Sequence, residues 1–235
     1  MRSIRWKLSG IRIPTYRPWW AYSVAAALML VLIVRLMPGS IGEIRPAYFA
    51  ADLVIPPESH RYIGNDSLFR AELVNMGHRL EVNPSWILAV MYHESRLNPA
   101  AINHRGSGAT GLIQLMPPAL KDLNKRLGTR YYLSDVKSMS AIRQLHLVEA
   151  YYLMIKERYG SIDNFTDAYL AVLYPRAVGK PQSHVLFARP SLHYRQNSGL
   201  DMNKDGKVTV GDISVRLYGM FPDLGKIDLD LALSK

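Results

Sequence analysis

Residues 84–117 read PSWILAVMYHESRLNPAAINHRGSGATGLIQLMP, and this stretch decides how the chain folds. Asn83 followed by Pro84 is typical of a helix start, because an asparagine side chain caps free backbone N–H groups and proline suits the first helical position. One face of this helix combines apolar residues with a carboxylate: Ile87, Val90, Met91 and Glu94. Since these positions follow the i, i+3, i+4, i+7 rule, the sequence predicts a helix through about Arg96 whose buried face ends in an acid.

Glu94 lies in the last turn of this predicted helix, where the helix dipole disfavours negative charge. Partial burial on the apolar face acts in the same direction, so both effects favour the protonated acid. A carboxylic acid that keeps its proton near neutral pH is what general-acid catalysis requires. The alternative is that Glu94 points outward and pairs with Arg96 or Arg105.

Three motifs begin at this carboxylate: the pair Glu94-Ser95, the turn Asn98-Pro99-x-Ala101, and the segment Gly108-Ala109-x-Gly111-Leu112-x-Gln114-x-Met116-Pro117. In residue types and order they resemble the signature of the soluble lytic transglycosylase (SLT) family. The order of predicted helices extends the likeness over roughly residues 65–180. The resemblance implies a mainly α, lysozyme-like fold that cleaves peptidoglycan between N-acetylmuramic acid and N-acetylglucosamine.

The resemblance also implies that Glu94 is the single catalytic residue, first as acid and then as base. Most glycosidases use two carboxylates. A lytic transglycosylase can omit the second, because the acetamido group of the substrate assists and its primary hydroxyl attacks, which leaves an anhydro-muramyl end. No acidic residue lies between Glu94 and Asp122. Four later carboxylates could still fold back towards Glu94: Asp135, Glu149, Asp163 and Asp167.

By the family pattern, Ser95 orients Glu94 or contacts sugar, Gln114 and Met116 line the glycan cleft, and Tyr174 places a phenol near the acid. Two alternatives stay open: the Ser95 hydroxyl bonds to the helix backbone, and Met116 packs beneath the cleft. The chain departs from the family at Pro175, which stands where an asparagine is usual. Proline cannot replace an asparagine amide, so this departure favours a catalytically weak binding module as an alternative.

Basic residues are concentrated near the N-terminus of this 235-residue chain, whose formal net charge is +10. Six cations flank an uncharged stretch at residues 18–34: Arg2, Arg5, Lys7, Arg12, Arg17 and Arg35. Without them 23 basic residues face 19 acidic ones, which argues against a nucleic-acid partner.

The absence of cysteine excludes disulfides and cysteine-ligated metal sites, and no HExxH motif follows His93, so a zinc hydrolase is disfavoured.

The apolar segment 19–37 is close to the length that a bilayer requires, and it begins with tryptophans typical of a membrane interface. It predicts a transmembrane signal anchor, with residues 1–18 as a basic cytoplasmic segment. The remaining chain then lies outside the cytoplasm, since cations flank the cytoplasmic side. A cleaved signal peptide is the alternative. Residues 38–62, rich in proline and glycine, predict a linker.

The remaining body is predicted to be mainly α-helical, because segments of alternating β-branched residues are nearly absent. Caps and prolines mark the further helices: one from about Ser67, one from Pro117, one from Ser140 to Gly160 and one from Asp163 to Pro175. This pattern places an SLT-like catalytic domain at residues 63–185 and a C-terminal extension at 186–235.

A second motif, at residues 201–212, carries oxygen-bearing groups at the first, third, fifth, seventh, ninth and twelfth positions: Asp201, Asn203, Asp205, Lys207 through its carbonyl, Thr209 and Asp212. With Gly206 at the sixth position, this spacing resembles an EF-hand or dockerin-like calcium loop, followed by an exiting helix at 213–221. It predicts a structural calcium ion that braces the C-terminal extension. The alternative is a polar surface turn held by Asx bonds.

Together these features predict a membrane-anchored peptidoglycan lytic transglycosylase of the cell envelope, with glycan strands as substrate and no cofactor for catalysis. A lysozyme-type hydrolase on the same fold would use water instead of the intramolecular hydroxyl. A catalytically weak peptidoglycan-binding or assembly module is the third interpretation. The sequence does not separate these three.

Overall fold

The computed structural model describes residues 53–103 and 106–225. They all fall within the unit formed by residues 48–235, and the predicted segments 1–18 and 19–37 lie outside the described residues. The helices are α1 (His60–Ile63), α2 (Asp66–Leu80), α3 (Pro84–Ser95), α4 (Pro117–Leu127), α5 (Leu133–Ser138), α6 (Ala141–Tyr159), α7 (Phe165–Leu173), α8 (Leu192–Asn197) and α9 (Val210–Met220). Two short strands, β1 (Val185–Ala188) and β2 (Lys207–Thr209), and 3₁₀ turns at Pro57–Ser59, Pro175–Ala177 and Ser198–Leu200 complete the described elements. The prediction of a mainly α body is confirmed.

The core is built around α6, which packs against α2 and α4, while α3 packs against α2 and α7. Fully buried side chains from these helices fill the centre: Phe69, Ile87, Met91, Tyr152 and Phe165. Complete burial of such a side chain contributes about 2 kcal/mol. Because Ile87 and Met91 are buried, α3 turns the predicted apolar face to the core, and this orientation fixes where its last turn places Glu94.

Helix starts follow the predicted caps, with one exception. The Asn83 side chain accepts a hydrogen bond from the backbone N–H of Ser85 at 2.9 Å, as expected for the cap of α3. For α7 the cap is Asn164, which accepts from the N–H of Asp167 at 2.8 Å, and not the predicted Asp163. The Asp163 carboxylate instead accepts a hydrogen bond from a serine hydroxyl just before the helix. Either side chain suits a helix start, so the sequence alone left the choice between neighbours unresolved.

The predicted linker 38–62 is described only from Leu53 onward, and this part belongs to the folded body. Leu53 and Ile55 are buried in the hydrophobic core, and helical turns begin at Pro57. The Ser59 hydroxyl donates to the backbone carbonyl of Arg96 at 2.9 Å, which ties the segment to the end of α3. The boundary of the domain therefore moves towards the N-terminus. Prolines in this stretch had suggested an extended linker, but alternating apolar residues anchor it.

The C-terminal extension forms the only part with strands among the described residues. Strands β1 and β2 pair antiparallel, with Ala188 opposite Lys207, and α9 packs against α7. The sequence did not predict this pair, because each strand has only three or four residues and its partner lies about twenty residues away. Within residues 53–103 and 106–225 no helix has both the length and the apolar character needed to cross a bilayer.

Candidate active site

Glu94 lies in the last turn of α3, which ends because Arg96 and Leu97 adopt left-handed φ angles of 56° and 60°. The Glu94 side chain is 18% exposed, so the carboxylate is partly withdrawn from water. Among the described residues no donor makes a hydrogen bond to it. Nδ1 of His93 lies 3.5 Å from its Oε1, which exceeds normal hydrogen-bond length. The carboxylate is therefore available to an external group.

Tyrosines from two other helices lie close enough to this carboxylate to feel its charge. The Tyr169 ring of α7 packs edge-on against the His93 ring, with ring centroids 5.1 Å apart. Burial raises the pKa of the Tyr169 hydroxyl, and the negative charge of Glu94 raises it further. The pKa of the fully buried Tyr152 of α6 is raised first by burial and then by Tyr151 and Glu94. Both phenols therefore stay neutral at physiological pH and add no charge near Glu94.

The alternative in which Glu94 is neutralised by a nearby arginine is not what the described residues show. The Arg96 guanidinium lies over the ring of Tyr92, 4.5 Å from its centroid, as a cation–π contact. Tyr92 in turn donates its hydroxyl hydrogen to Glu58 at 2.6 Å. Arg96 is thus engaged with Tyr92, while Arg105 lies outside the described residues.

Ser95 lies behind the site and not on its surface. The side chain is buried, and its hydroxyl lies 2.9 Å from the carbonyl oxygen of Met91 and 3.0 Å from that of Leu112. The prediction that Ser95 contacts sugar is corrected, because a buried hydroxyl bound to backbone carbonyls cannot also reach a glycan. Its contact with Leu112 joins the end of α3 to the loop that follows, so Ser95 is a positioning residue.

We expect Ser95→Ala to lower the free energy of unfolding by about 1 kcal/mol, because a buried hydrogen bond between α3 and Leu112 is lost. Urea unfolding of the full chain measures this change. Ser138→Ala is the matched control, since the Ser138 hydroxyl makes the same bond to the carbonyl four residues earlier but at an exposed position. Equal effects of the two variants would contradict the role of Ser95 as a bridge to Leu112.

The loop between α3 and α4 is held in place by hydrogen bonds to the Gln144 side chain of α6. The sequence did not single out this residue. The Gln144 carbonyl accepts from the backbone N–H of Leu112 at 2.9 Å, and its amide nitrogen donates to the carbonyls of Pro99 and Val136, each at 2.7 Å. Gln144 is 2% exposed. The sequence pattern did mark Gln144 as unusual, because it falls on the apolar face of α6. A polar side chain on such a face must find buried hydrogen-bond partners.

The loop needs glycine at position 111 because of its backbone conformation and its close neighbours. Its φ is +85°, and a Cβ added there would come within 2.5 Å of the Gln144 carbonyl oxygen. The backbone therefore approaches Gln144 closely, which a residue with a Cβ could not do. The close approach also brings the N–H of the next residue, Leu112, onto Gln144.

Gln114 and Met116 occupy the far end of the same loop. Gln114 has a left-handed φ of 50°, and its amide donates to the carbonyl of Gly111 at 3.1 Å, so it stabilises the turn. Its side chain is partly exposed. Met116 directly precedes α4 and is 42% exposed, so packing beneath a cleft is not its arrangement. Both side chains are accessible to a ligand on this surface.

Tyr174 follows the last residue of α7, and its ring packs edge-on against Phe187 of β1 at a centroid distance of 5.4 Å. Pro175 opens the 3₁₀ turn that comes next. The buried Asp167 closes this turn, because its Oδ1 accepts from the N–H of Gly179 at 2.9 Å. The turn that carries Pro175 is thus held by Asp167 and not by an asparagine at position 175.

The carboxylates that could have served as a second catalytic acid are engaged elsewhere. Asp135 accepts from the backbone of Tyr132, Asp163 from Ser161, and Asp167 from Gly179. Glu149 pairs with Arg79 at 2.6 Å. None of these four makes a hydrogen bond or ion pair with Glu94, its neighbours or the loop above Gln144 in the described part of the chain.

In a comparison with protein families, residues 74–171 fit the family model described as the transglycosylase SLT domain. This segment belongs to the SLT family. The matched range contains Glu94, Ser95, Gln114 and Gln144, so the SLT domain includes the acid and the loop packed behind it. A comparison with curated proteins finds no match.

The SLT match does not extend to the turn after α7 or to the C-terminal loop. Tyr174 and Pro175 follow the matched range, and so does the loop 201–212. The family assignment therefore supports peptidoglycan as the substrate at the level of the SLT domain. Roles for Tyr174 and for the C-terminal loop rest on the structure around them.

Proposed function

We propose that the chain is a membrane-anchored peptidoglycan lytic transglycosylase in which Glu94 is the only catalytic carboxylate. The observation that carries this proposal is the state of Glu94: partly buried, without a hydrogen-bond donor among the described residues, and placed at the negative end of a helix. A carboxylic acid without an internal partner can act on a bound glycan, first as acid and then as base.

In the proposed reaction, Glu94 donates its proton to the glycosidic oxygen between N-acetylmuramic acid and N-acetylglucosamine. The bond from the anomeric carbon to that oxygen breaks, while the acetamido oxygen of the muramic acid supports the developing positive charge. The Glu94 carboxylate then accepts a proton from the primary hydroxyl of the same sugar, whose oxygen closes onto the anomeric carbon. The product is a 1,6-anhydro end, and Glu94 regains its proton for the next cycle.

The surroundings of Glu94 support each part of this cycle. The neutral Tyr169 phenol offers no charge that would compete for the proton. The four later carboxylates that could activate water make hydrogen bonds or ion pairs with other groups: Asp135, Glu149, Asp163 and Asp167. A hydrolase of the usual two-carboxylate kind would need a second carboxylate on the opposite face of the sugar, as general base or as nucleophile. Available positions on the surface, Gln114 and Met116, carry no acid, which favours attack by the intramolecular hydroxyl.

The test is to incubate the full chain, solubilised in a mild detergent, with purified sacculi and to measure the masses of the released fragments. Muropeptides lighter by one water than their reducing counterparts identify anhydro ends and support the transglycosylase. Reducing ends would replace it by the hydrolase. Binding without release would favour the non-catalytic module, for which Pro175 is the specific argument.

The anchor at residues 19–37 is the second element of the proposal. Its apolar length and flanking cations support a single span, with the SLT domain outside the cytoplasm. We expect the full chain to stay in the membrane fraction after extraction with alkaline carbonate, and protease added outside the cytoplasmic membrane to degrade the SLT domain. A chain that starts at residue 48 is the control and should be released. Release of the intact full-length chain by carbonate would overturn the anchor.

A further inference from the structure

The loop at residues 201–212 is the strongest feature of the chain that catalysis does not use, and we propose that it binds a calcium ion. Helix α8 and the turn Ser198–Leu200 lead into the loop, and α9 leads out of it. The chain thus forms a helix–loop–helix, although the entering helix was not evident from the sequence. The exiting helix begins at Val210, three residues earlier than predicted.

Asp201 carries the observation that points to a cation. Its side chain is 7% exposed, and one carboxylate oxygen, Oδ2, accepts from the Tyr194 hydroxyl at 2.7 Å and from the N–H of Gly206 at 3.0 Å. The other oxygen, Oδ1, is buried and has no hydrogen-bond partner. A buried, unpaired carboxylate oxygen is costly, and a bound cation would remove that cost.

The next residues shape the loop through hydrogen bonds from its backbone to their side-chain oxygens. The Asn203 side chain accepts from the N–H of Asp205 at 3.0 Å, and the Asp205 carboxylate accepts from the N–H of Lys207 at 2.8 Å. Between them Gly206 has a φ of +90°, which reverses the chain at the sixth position. These contacts fold the loop but supply no positive charge.

Asp212 closes the loop from the first turn of α9. Its Oδ1 accepts from the N–H of Met202 at 3.1 Å, and its Oδ2 accepts from the N–H and hydroxyl of Thr209 at 2.9 and 2.5 Å. Asp212 thus joins the beginning of the loop to its end. Oδ1 retains a lone pair for a cation, since a carboxylate oxygen accepts more than one partner and Oδ1 has a single donor here.

Charge balance distinguishes this loop from the other acidic cluster in the described residues. None of Asp201, Asp205 and Asp212 forms a salt bridge there. Glu72, His146 and Glu149 also lie close together, but the Arg79 guanidinium binds Glu149 at 2.6 Å and Glu72 at 2.7 Å. These carboxylates raise the pKa of Arg79. The Arg79 guanidinium therefore already balances the negative charge of this cluster, in the place that a metal ion would take.

The chemistry of the donor set selects calcium. Carboxylate, amide, carbonyl and hydroxyl oxygens are hard ligands, and their number suits an ion that takes six to eight oxygens. The ligands would be Asp201, Asn203, Asp205, the Lys207 carbonyl, Thr209 and Asp212. Transition metals would prefer nitrogen or sulfur donors, which the loop lacks.

The ion would brace the packing of the C-terminal extension around Tyr174. Lys207 and Thr209 belong to β2, which pairs with β1, and Phe187 of β1 packs on Tyr174. On the other side of the loop, α9 leads to Phe221, whose ring lies 5.6 Å from that of Phe165 in α7. Calcium binding therefore stabilises the packing of the C-terminal extension on α7.

The experiment uses terbium as a luminescent substitute for calcium, with the full chain in mild detergent. Because the Tyr194 hydroxyl contacts Asp201, excitation of tyrosine should sensitise the terbium emission, and calcium should quench it by competition. We expect a calcium dissociation constant between about 10 µM and 1 mM, and at least about tenfold weaker binding in Asp201→Asn and Asp205→Asn. Asp205 is exposed, so its variant tests the site even if Asp201→Asn misfolds.

Two charge-matched variants serve as controls. Asp122→Asn removes an exposed acid outside both clusters, and Glu149→Gln alters the cluster held by Arg79; both should keep the calcium affinity. Saturating calcium should raise the melting temperature of the wild type by about 5–10 °C and leave that of Asp205→Asn nearly unchanged. An unchanged wild-type melting temperature, or terbium emission lost in Glu149→Gln but kept in Asp205→Asn, would overturn the proposal. Neither readout depends on glycan cleavage.

Discussion

Glu94→Gln is expected to release soluble fragments from sacculi at least about 10³-fold more slowly than the wild-type chain. Glutamine keeps the shape of the side chain but can neither donate the proton that cleaves the glycosidic bond nor accept the one from the attacking hydroxyl. Because the proposed mechanism assigns both steps to one carboxylate, no other residue should compensate. The measurement is the initial rate of fragment release, followed by mass analysis of the products.

The same variant should fold at least as well as the wild type. Glu94 has no hydrogen-bond partner among the described residues, and its negative charge opposes the dipole at the end of α3. Removing the charge should leave the free energy of unfolding unchanged or raise it by about 0.5 kcal/mol. Loss of activity without loss of stability is the pattern that separates a catalytic acid from a structural one.

Glu157→Gln provides the matched control for charge and shape. Glu157 is exposed on α6 and pairs with Arg126, so its substitution should leave the cleavage rate unchanged. Glu94→Asp offers a second comparison, since it keeps the acid but withdraws it by one methylene group and should retain a small fraction of the rate. Full activity in Glu94→Gln would show that another group protonates the substrate.

The position of Glu94 could be predicted because its causes are local. The cap at Asn83, the proline after it and the apolar spacing of α3 all act within four turns of one helix, and burial of Ile87 and Met91 agrees with them. The motifs around Gly111 and Gln114 were likewise readable, since their left-handed φ angles are local requirements. Local rules thus locate the acid and the loop beside it.

Contacts between distant residues could not be predicted in the same way. Ser95 had two possible roles until the carbonyl of Leu112 was found beside it, seventeen residues further along the chain. Gln144 meets Pro99 across forty-five residues, and β1 meets β2 without any marked strand pattern. Such pairings depend on how whole helices pack, and a sequence pattern carries only the weak signal of a polar residue on an apolar face.

Gln144 is the residue whose loss should damage the fold most. Gln144→Leu removes three hydrogen bonds at once. The N–H of Leu112 and the carbonyls of Pro99 and Val136 are then buried without those partners. An unsatisfied buried group costs about 1–3 kcal/mol, so we expect the free energy of unfolding to fall by about 3–5 kcal/mol. Denaturant unfolding of the full chain measures the change, and Gln196→Leu, at an exposed position, is the control and should change it by less than about 0.5 kcal/mol.

A double-mutant cycle with Gly111 tests whether the two residues act together. Gly111→Ala alone should cost about 3 kcal/mol, because the new Cβ meets the Gln144 carbonyl oxygen and the φ of +85° strains any residue but glycine. In the Gln144→Ala background the clash with the Gln144 carbonyl disappears, while the backbone strain and a 3.2 Å contact with the Val136 side chain are left. The double variant should therefore be more stable than the sum of the single effects predicts, by at least about 1 kcal/mol.

The cycle also connects the fold to the proposed chemistry. Gln144 supports Leu112, and the Leu112 carbonyl accepts from the hydroxyl of Ser95, the residue after Glu94. Loosening this contact therefore displaces the loop next to the acid. Variants of Gln144 that remain folded at low temperature should accordingly lose cleavage rate as well as stability. Strict additivity of the Gly111 and Gln144 effects, together with an unchanged rate, would mean that the loop keeps its position without Gln144.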